Sequence, residues 1–126
     1  MLDPGKAFSS FAVDDPAAAE EFYSRTLGIP VAKVAGMEEY GLLALETGGG
    51  TGAMVYPEPD FTPATYTVMH FPVDDIEKAV DQLAARGVEF LRYGSFEQDA
   101  KGITTGSPRN AWFTDPAGNV LGLVQD

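Results

Sequence analysis

Few residues in this chain can carry chemistry. There is one histidine, His70, and no cysteine, so thiolate metal sites, disulfides and cysteine nucleophiles are excluded. His70 suits a hydrogen bond to a ligand or general-base work near neutral pH, and it equally suits a structural place at a sheet edge or subunit interface. The single tryptophan, Trp112, and Tyr56 offer aromatic faces that stack on flat molecules or attract cations, or else pack in a core. Ser9-Ser10 has no histidine and acid arranged beside it for nucleophilic catalysis. Gly48-Gly49-Gly50-Thr51-Gly52 lacks the lysine and following helix of a phosphate-binding loop. Asp14-Asp15 and Glu38-Glu39 read as caps and solvated turns rather than acid/base pairs.

Charge and length narrow the partners. Nineteen acidic against eight basic residues give a net charge of −11, which repels phosphate backbones and anionic lipid and so excludes nucleic acid and membrane surfaces. The same charge would attract cationic small molecules, or it serves solubility alone. With 126 residues, 44% of them hydrophobic, the chain is long enough for one packed domain. No apolar run approaches the roughly 20 residues that cross a bilayer, and Met1-Leu2-Asp3-Pro4 has no leader pattern, so a soluble, cytoplasmic protein is expected.

The elements that must position these residues come in two copies. Phe11-Ala12-Val13-Asp14-Asp15 before an Ala/Glu-rich helical run is echoed by Phe71-Pro72-Val73-Asp74-Asp75 before a second one. Each copy closes with a Gly-rich turn and a short apolar strand, which predicts a pseudo-symmetric molecule with a cleft. Strands are expected over residues 7–13, 30–34, 40–46 and 51–56, and a helix over 17–27 with Asp15 as N-cap, Pro16 at its first position and Gly28 at its end. On that helix Ala18, Phe22 and Leu27 read as the buried stripe. The stiff run Pro57-Glu58-Pro59-Asp60-Phe61-Thr62-Pro63 divides a first module, 1–59, from a second, 60–126, within one domain. The second module repeats the pattern with a strand at 66–73, a helix at 76–86, a strand at 88–93 and a hairpin of 110–114 with 120–125. Between Gly94 and Arg109 a polar, Gly-containing segment suits either a short strand or a flap over a binding site.

This doubled order, with Phe22-Tyr23 and Leu27-Gly28 in the first helix and Phe113-Thr114-Asp115-Pro116-Ala117-Gly118-Asn119 before the last strand, resembles the vicinal oxygen chelate superfamily. That group includes glyoxalase I, extradiol dioxygenases, fosfomycin-modifying enzymes and the bleomycin-resistance binding proteins. The resemblance covers essentially the whole chain. It implies an α+β fold of two tandem βαβββ modules forming an incomplete barrel around a cleft, in a homodimer.

Enzymes of the superfamily hold a divalent metal with His, Gln or Glu near the start of each module's first strand and in its last strand. Carried onto this chain, the first-strand positions are Phe8 and Val68, and the last-strand positions, matched through Gly50 and Gly118, are Met54 and Gly122. None of the four ligates a hard or borderline ion, and neither do Ser9, Met69, Val55 or Leu123 one residue on. The resemblance, with these residue types, implies a cleft without metal or other cofactor. By strand alternation Tyr56 shares the face of Met54, and His70 that of Val68. Phe8, Met54, Tyr56, Val68 and Trp112 then supply apolar wall, Ser10 and His70 polar contacts, and Gly122 empty space where an enzyme would place a carboxylate. The function implied is metal-independent binding or sequestration of a bulky aromatic or amphipathic small molecule, in the manner of the bleomycin-resistance proteins, with no catalytic residue. Two alternatives stay open: an enzyme using the same cleft, either a glyoxalase-like lyase or isomerase with displaced ligands or a metal-free catalyst with His70 as base; and a non-catalytic fold that works through a partner surface.

Overall fold

The computed structural model describes residues 1–48 and 52–126. Gly49, Gly50 and Thr51, on which part of the first Gly-rich turn and the matching of the last strands rested, lie outside the described residues. The chain forms two compact units, Met1–Pro63 and Ala64–Asp126, each a small sheet with a helix, and the class is mixed α+β. No helix among the described residues is long and apolar enough to cross a membrane.

In the first unit β1 (Ser9–Val13), β2 (Val31–Lys33), β3 (Leu43–Leu45) and β4 (Ala53–Pro57) form one sheet in the order β1-β4-β3-β2. β1 runs parallel to β4, from Ser9 opposite Ala53 to Val13 opposite Pro57, and β3 pairs antiparallel with both β4 and β2. Phe11 and Val13 are buried while Ser9 and Ser10 are exposed. Leu43, Leu45, Ala53 and Val55 are buried as well and carry the core onto β3 and β4. Helix α1 (Pro16–Glu21) starts where expected: Asp15 Oδ1 accepts from the Ala17 and Ala18 N–H groups at 3.0 and 3.3 Å.

Two details of this unit depart from expectation. The α-helix ends at Glu21 and passes into a wider π turn over Phe22–Thr26, and the buried stripe falls on Ala19 and Tyr23 instead of Ala18, Phe22 and Leu27. Ala18 to Phe22 and Ala19 to Tyr23 have the same four-residue spacing, so periodicity leaves the phase open. The Tyr23 ring decides it, lying 5.9 Å from Phe11 on β1 and edge-on to Phe22. The strand expected over 40–46 is shortened, because a 3-10 turn at Glu38–Tyr40 runs into Gly41 at φ 72°. A Cβ there would stand 3.2 Å from Pro16 Cγ and 3.3 Å from Pro57 Cγ, so only glycine fits the corner without strain.

The second unit repeats the plan with β5 (Thr67–Pro72), α2 (Ile76–Ala85), β6 (Arg109–Thr114) and β7 (Val120–Gln125), the strands in the order β5-β7-β6. β5 is parallel to β7 and β6 antiparallel to it. Asp75 caps α2 by accepting from the Lys78 N–H, and the Ile76 N–H donates to Gln125 Oε1 at 2.8 Å, which ties the helix start to β7. Ile76 and Val80 are buried, as are Ala111, Phe113, Leu121 and Leu123 of the sheet. The hairpin turn is locked by Asp115, whose Oδ1 accepts from the Ala117 and Asn119 N–H groups and whose Oδ2 accepts from Asn119 Nδ2. The strand expected over 88–93 is reduced to a single bridge between Phe90 and Phe113. The segment leaves the sheet there because the Gln98 side chain takes the next backbone groups, donating to the Leu91 carbonyl and accepting from the Tyr93 N–H.

Candidate functional site

Across the second unit's sheet one row of residues faces away from α2. His70 on β5 is paired with Gly122 on β7, and Gly122 with Trp112 on β6. Because side chains alternate along strands, His70 and Trp112 lie on the face opposite Leu121, Leu123, Ala111 and Phe113. A Cβ on Gly122 would stand 3.3 Å from His70 Nδ1 and 3.4 Å from both Thr67 Cγ2 and Trp112 Cδ1. The expected empty space at Gly122 is therefore not there: the neighbouring side chains close over the strand, and glycine is what lets them do so.

Val68 also departs from its expected place. The register slips between Thr67 and Met69, so Val68 is the unpaired residue of a β-bulge and the alternation from His70 back to it is broken. Thr67 supplies the methyl group beside Gly122 instead. Val68 itself is partly buried.

The segment after Phe90 builds a wall over this row. It is neither a strand nor a free flap but a folded loop with its own hydrogen bonds. Gln98 Nε2 donates to the Gly102 carbonyl at 2.8 Å, Asp99 Oδ1 accepts from the Lys101 and Ile103 N–H groups, and Arg92 donates to the carbonyls of Asp99 and Ala100 at 2.8 and 2.6 Å. Ile103 is fully buried, and the Asn110 N–H donates to Thr104 Oγ1 at 2.8 Å, which pins the loop to the start of β6. Outside, Lys101 meets Asp81 of α2 at 2.9 Å, and that carboxylate holds the ammonium pKa above its ordinary value.

The loop brings Phe96 onto Trp112, with the two rings stacked at 5.1 Å between centroids and 28° between planes. Tyr93 meets Trp112 edge-on at 5.2 Å and Phe96 at 6.2 Å, so the indole is held by two further rings. Between this aromatic wall and the loop lies a cavity of about 350 Å³, at the lower end of the range for small-molecule sites. Its lining is His70, Phe96, Glu97, Asn110 and Trp112, with Thr104, Thr105, Gly106, Ser107 and Pro108 along the loop.

The first-unit candidates form a separate set. Ser10 is paired with Met54, which in turn is paired with Ala44, and Ala12 with Tyr56, on the sheet face opposite Phe11, Val13 and Val55. Met54 and Tyr56 are partly buried, Ser10 is exposed, and Phe8, one residue before β1, is 59% exposed. Residue types decide whether the positions implied for a metal fit one. Phe8, Met54, Val68 and Gly122 offer no imidazole or carboxylate, a side chain at Gly122 would crowd His70, Thr67 and Trp112, and among the described residues no three His, Asp or Glu side chains gather. The donor set does not fit a divalent ion.

Of the residues singled out in the sequence, His70 and Trp112 line this cavity; Phe96, Glu97 and the residues from Thr104 to Pro108, which also line it, were not singled out. The available signal was a lone phenylalanine inside an otherwise polar loop, since an aromatic there must either be exposed or find a partner.

A family model described as the Glyoxalase/Bleomycin resistance protein/Dioxygenase superfamily matches residues 8–123. Among solved structures the chain is similar to TnmS3, an antibiotic binding protein from Streptomyces sp. CB03234, at 26% identity over 94% of each chain with a TM-score of 0.65. A glyoxalase/dioxygenase from Nostoc punctiforme shares the fold at 22% identity, covering 100% of this chain and 96% of its own, with a TM-score of 0.71. The fosfomycin resistance protein FosX from Listeria monocytogenes shares it at 13% identity, over 99% of this chain and 95% of its own, with a TM-score of 0.72. No curated protein matches the chain. With the doubled strand-and-helix units in place and nearly every residue spanned by the family model, this chain belongs to the glyoxalase/bleomycin resistance/dioxygenase superfamily.

Proposed function

We propose that this chain binds a bulky aromatic or amphipathic small molecule without a metal ion, and that the cavity of the second unit takes it. The observation that carries the proposal is the stacked pair of Phe96 and Trp112 on one wall of that cavity. Phe96 remains 52% exposed, so ring surface is on offer to a flat ligand. His70, Asn110 and Thr105 add hydrogen-bonding groups on the same lining, the usual pattern of an apolar site with a few polar groups that set orientation. Support also comes from the donor set, which does not fit a metal, and from the likeness to an antibiotic binding protein. Sequestration of such a compound, as in a resistance protein, needs only affinity and no reacting group. The family also implies a homodimer, which sedimentation velocity tests.

Trp112 is the only tryptophan of the chain, so its fluorescence reports on the cavity directly. Aromatic antibiotics and metabolites titrated with and without a chelator should include one that changes the emission saturably in both conditions. The same compound at about a hundred times its dissociation constant should stabilise the fold by roughly 2.7 kcal/mol. His70→Ala and Trp112→Ala should weaken it while leaving the fold intact, and Met54→Ala and Tyr56→Ala test whether the first unit's apolar face takes part. Binding that appears only with added divalent metal, or an emission that no compound moves, would overturn the proposal.

A further inference from the structure

We infer that the cavity selects planar aromatic cations and that Glu97 makes the selection; this rests on the cavity being a small-molecule site. Glu97 is the only carboxylate on the lining, and no lysine or arginine stands there. The basic side chains of the neighbouring segments are engaged elsewhere. Arg92 is spent on the Asp99 and Ala100 carbonyls, Lys101 on Asp81, and Arg109 lies 3.7 Å from Glu77. The Glu97 carboxylate, by contrast, takes no hydrogen bond and no ion pair among the described residues, so its attraction is free for a ligand.

Three observations converge on one ligand chemistry. Phe96, next to Glu97 in the chain, stacks on Trp112, and a positive charge over an aromatic face is drawn by the ring's quadrupole. Glu97 lines the same cavity as those rings. The net charge of −11 raises the local concentration of cations around the whole molecule. A phosphate, phosphonate or carboxylate would meet Glu97 with no lysine or arginine to offset it, so anions are disfavoured where a flat cation is held.

Three probes of one shape test this: N-methylacridinium as the cation, acridine as the neutral ring and acridine-9-carboxylate as the anion, each read by Trp112 emission and by calorimetry at neutral to slightly alkaline pH. The native chain should prefer the cation over the neutral ring by about three- to tenfold, and bind the anion weakest. Glu97→Gln should erase the preference and leave the neutral probe's affinity unchanged. Glu89→Gln removes the same charge at an exposed position outside the lining and should keep the preference. Equal affinity for all three probes would overturn the selection by Glu97 while leaving the small-molecule site standing. An equal loss in both variants would assign the preference to net charge and overturn it too. Silence from every probe by both readouts would remove the site and the inference together.

Discussion

β4 and β7 hold the same place in their units, each next to and parallel with the unit's first strand, yet they are buried differently. β4 alternates, with Ala53 and Val55 buried and Met54 and Tyr56 partly open. β7 is buried along Val120, Leu121, Gly122 and Leu123 without a break. Alternation is the signature of a strand with one covered face, a continuous run that of a strand covered on both. At Gly122 the second cover is visible as His70, Thr67 and Trp112. The connectors differ in the same sense. In the first unit residues 34–42 join β2 to β3 by a 3-10 turn with Met37 and Tyr40 exposed, whereas in the second residues 91–108 fold back, bury Ile103 and lay Phe96 on Trp112. One plan gives a partly open sheet face in one unit and a furnished cavity in the other, and a glycine and a loop carry much of the difference.

Substitutions in the two connectors should break this contrast most strongly. Ile103→Ala should cost about 2–5 kcal/mol in urea unfolding, as for any fully buried aliphatic residue, while Met37→Ala in the first unit's connector should stay within about 0.5 kcal/mol. Similar values for both would mean that the second connector is not part of the core. The next largest effect is expected on the central strands: Gly122→Leu should destabilise by about 1–3 kcal/mol through overpacking against His70 and Trp112 and alter Trp112 emission, while Met54→Leu should cost under about 1.5 kcal/mol. The helix caps sharpen the comparison further. Asp15 accepts two backbone N–H groups and Asp75 one, so both alanine variants should lose about 1 kcal/mol by thermal melting, with Asp15→Ala the larger. The smallest effect belongs to Lys101. Its pKa is raised on folding by Asp81, so its contribution is present at neutral pH and is lost as pH rises past the ordinary lysine value and through the raised one. The melting-temperature gap between the native chain and Lys101→Met should accordingly be small at pH 8 and shrink as the pH is raised past the ordinary lysine value.

Much of the fold was legible because local chemistry and hydrophobic period agree. Asp15-Pro16 and Asp75 start their helices, Gly87 ends the second, and Asp115 to Asn119 makes the hairpin turn, each through a mechanism written in adjacent residues. The parts that were not legible depend on distant partners. The phase of α1 hangs on Tyr23 meeting Phe11, the loss of a strand at 88–93 on Gln98 competing for its backbone, and the displacement of Val68 on a bulge against β7. The site followed the same division. His70 could be given a face by alternation along its strand and Trp112 stood out as the single tryptophan, but Phe96 reaches Trp112 only through the hydrogen bonds of a loop whose course no period encodes.

Because the first and last strands of each unit run side by side in the same direction, each unit takes the chain in at one end of its sheet and releases it at the other. A unit of that kind needs no return crossing before its successor begins. Head-to-tail duplication of one such piece meets no topological obstacle, and a short connector such as residues 58–66 suffices to join the copies. Because neither unit relies on the other to complete its strand order, a connector such as residues 91–108 can change in one unit without disturbing the plan of the other.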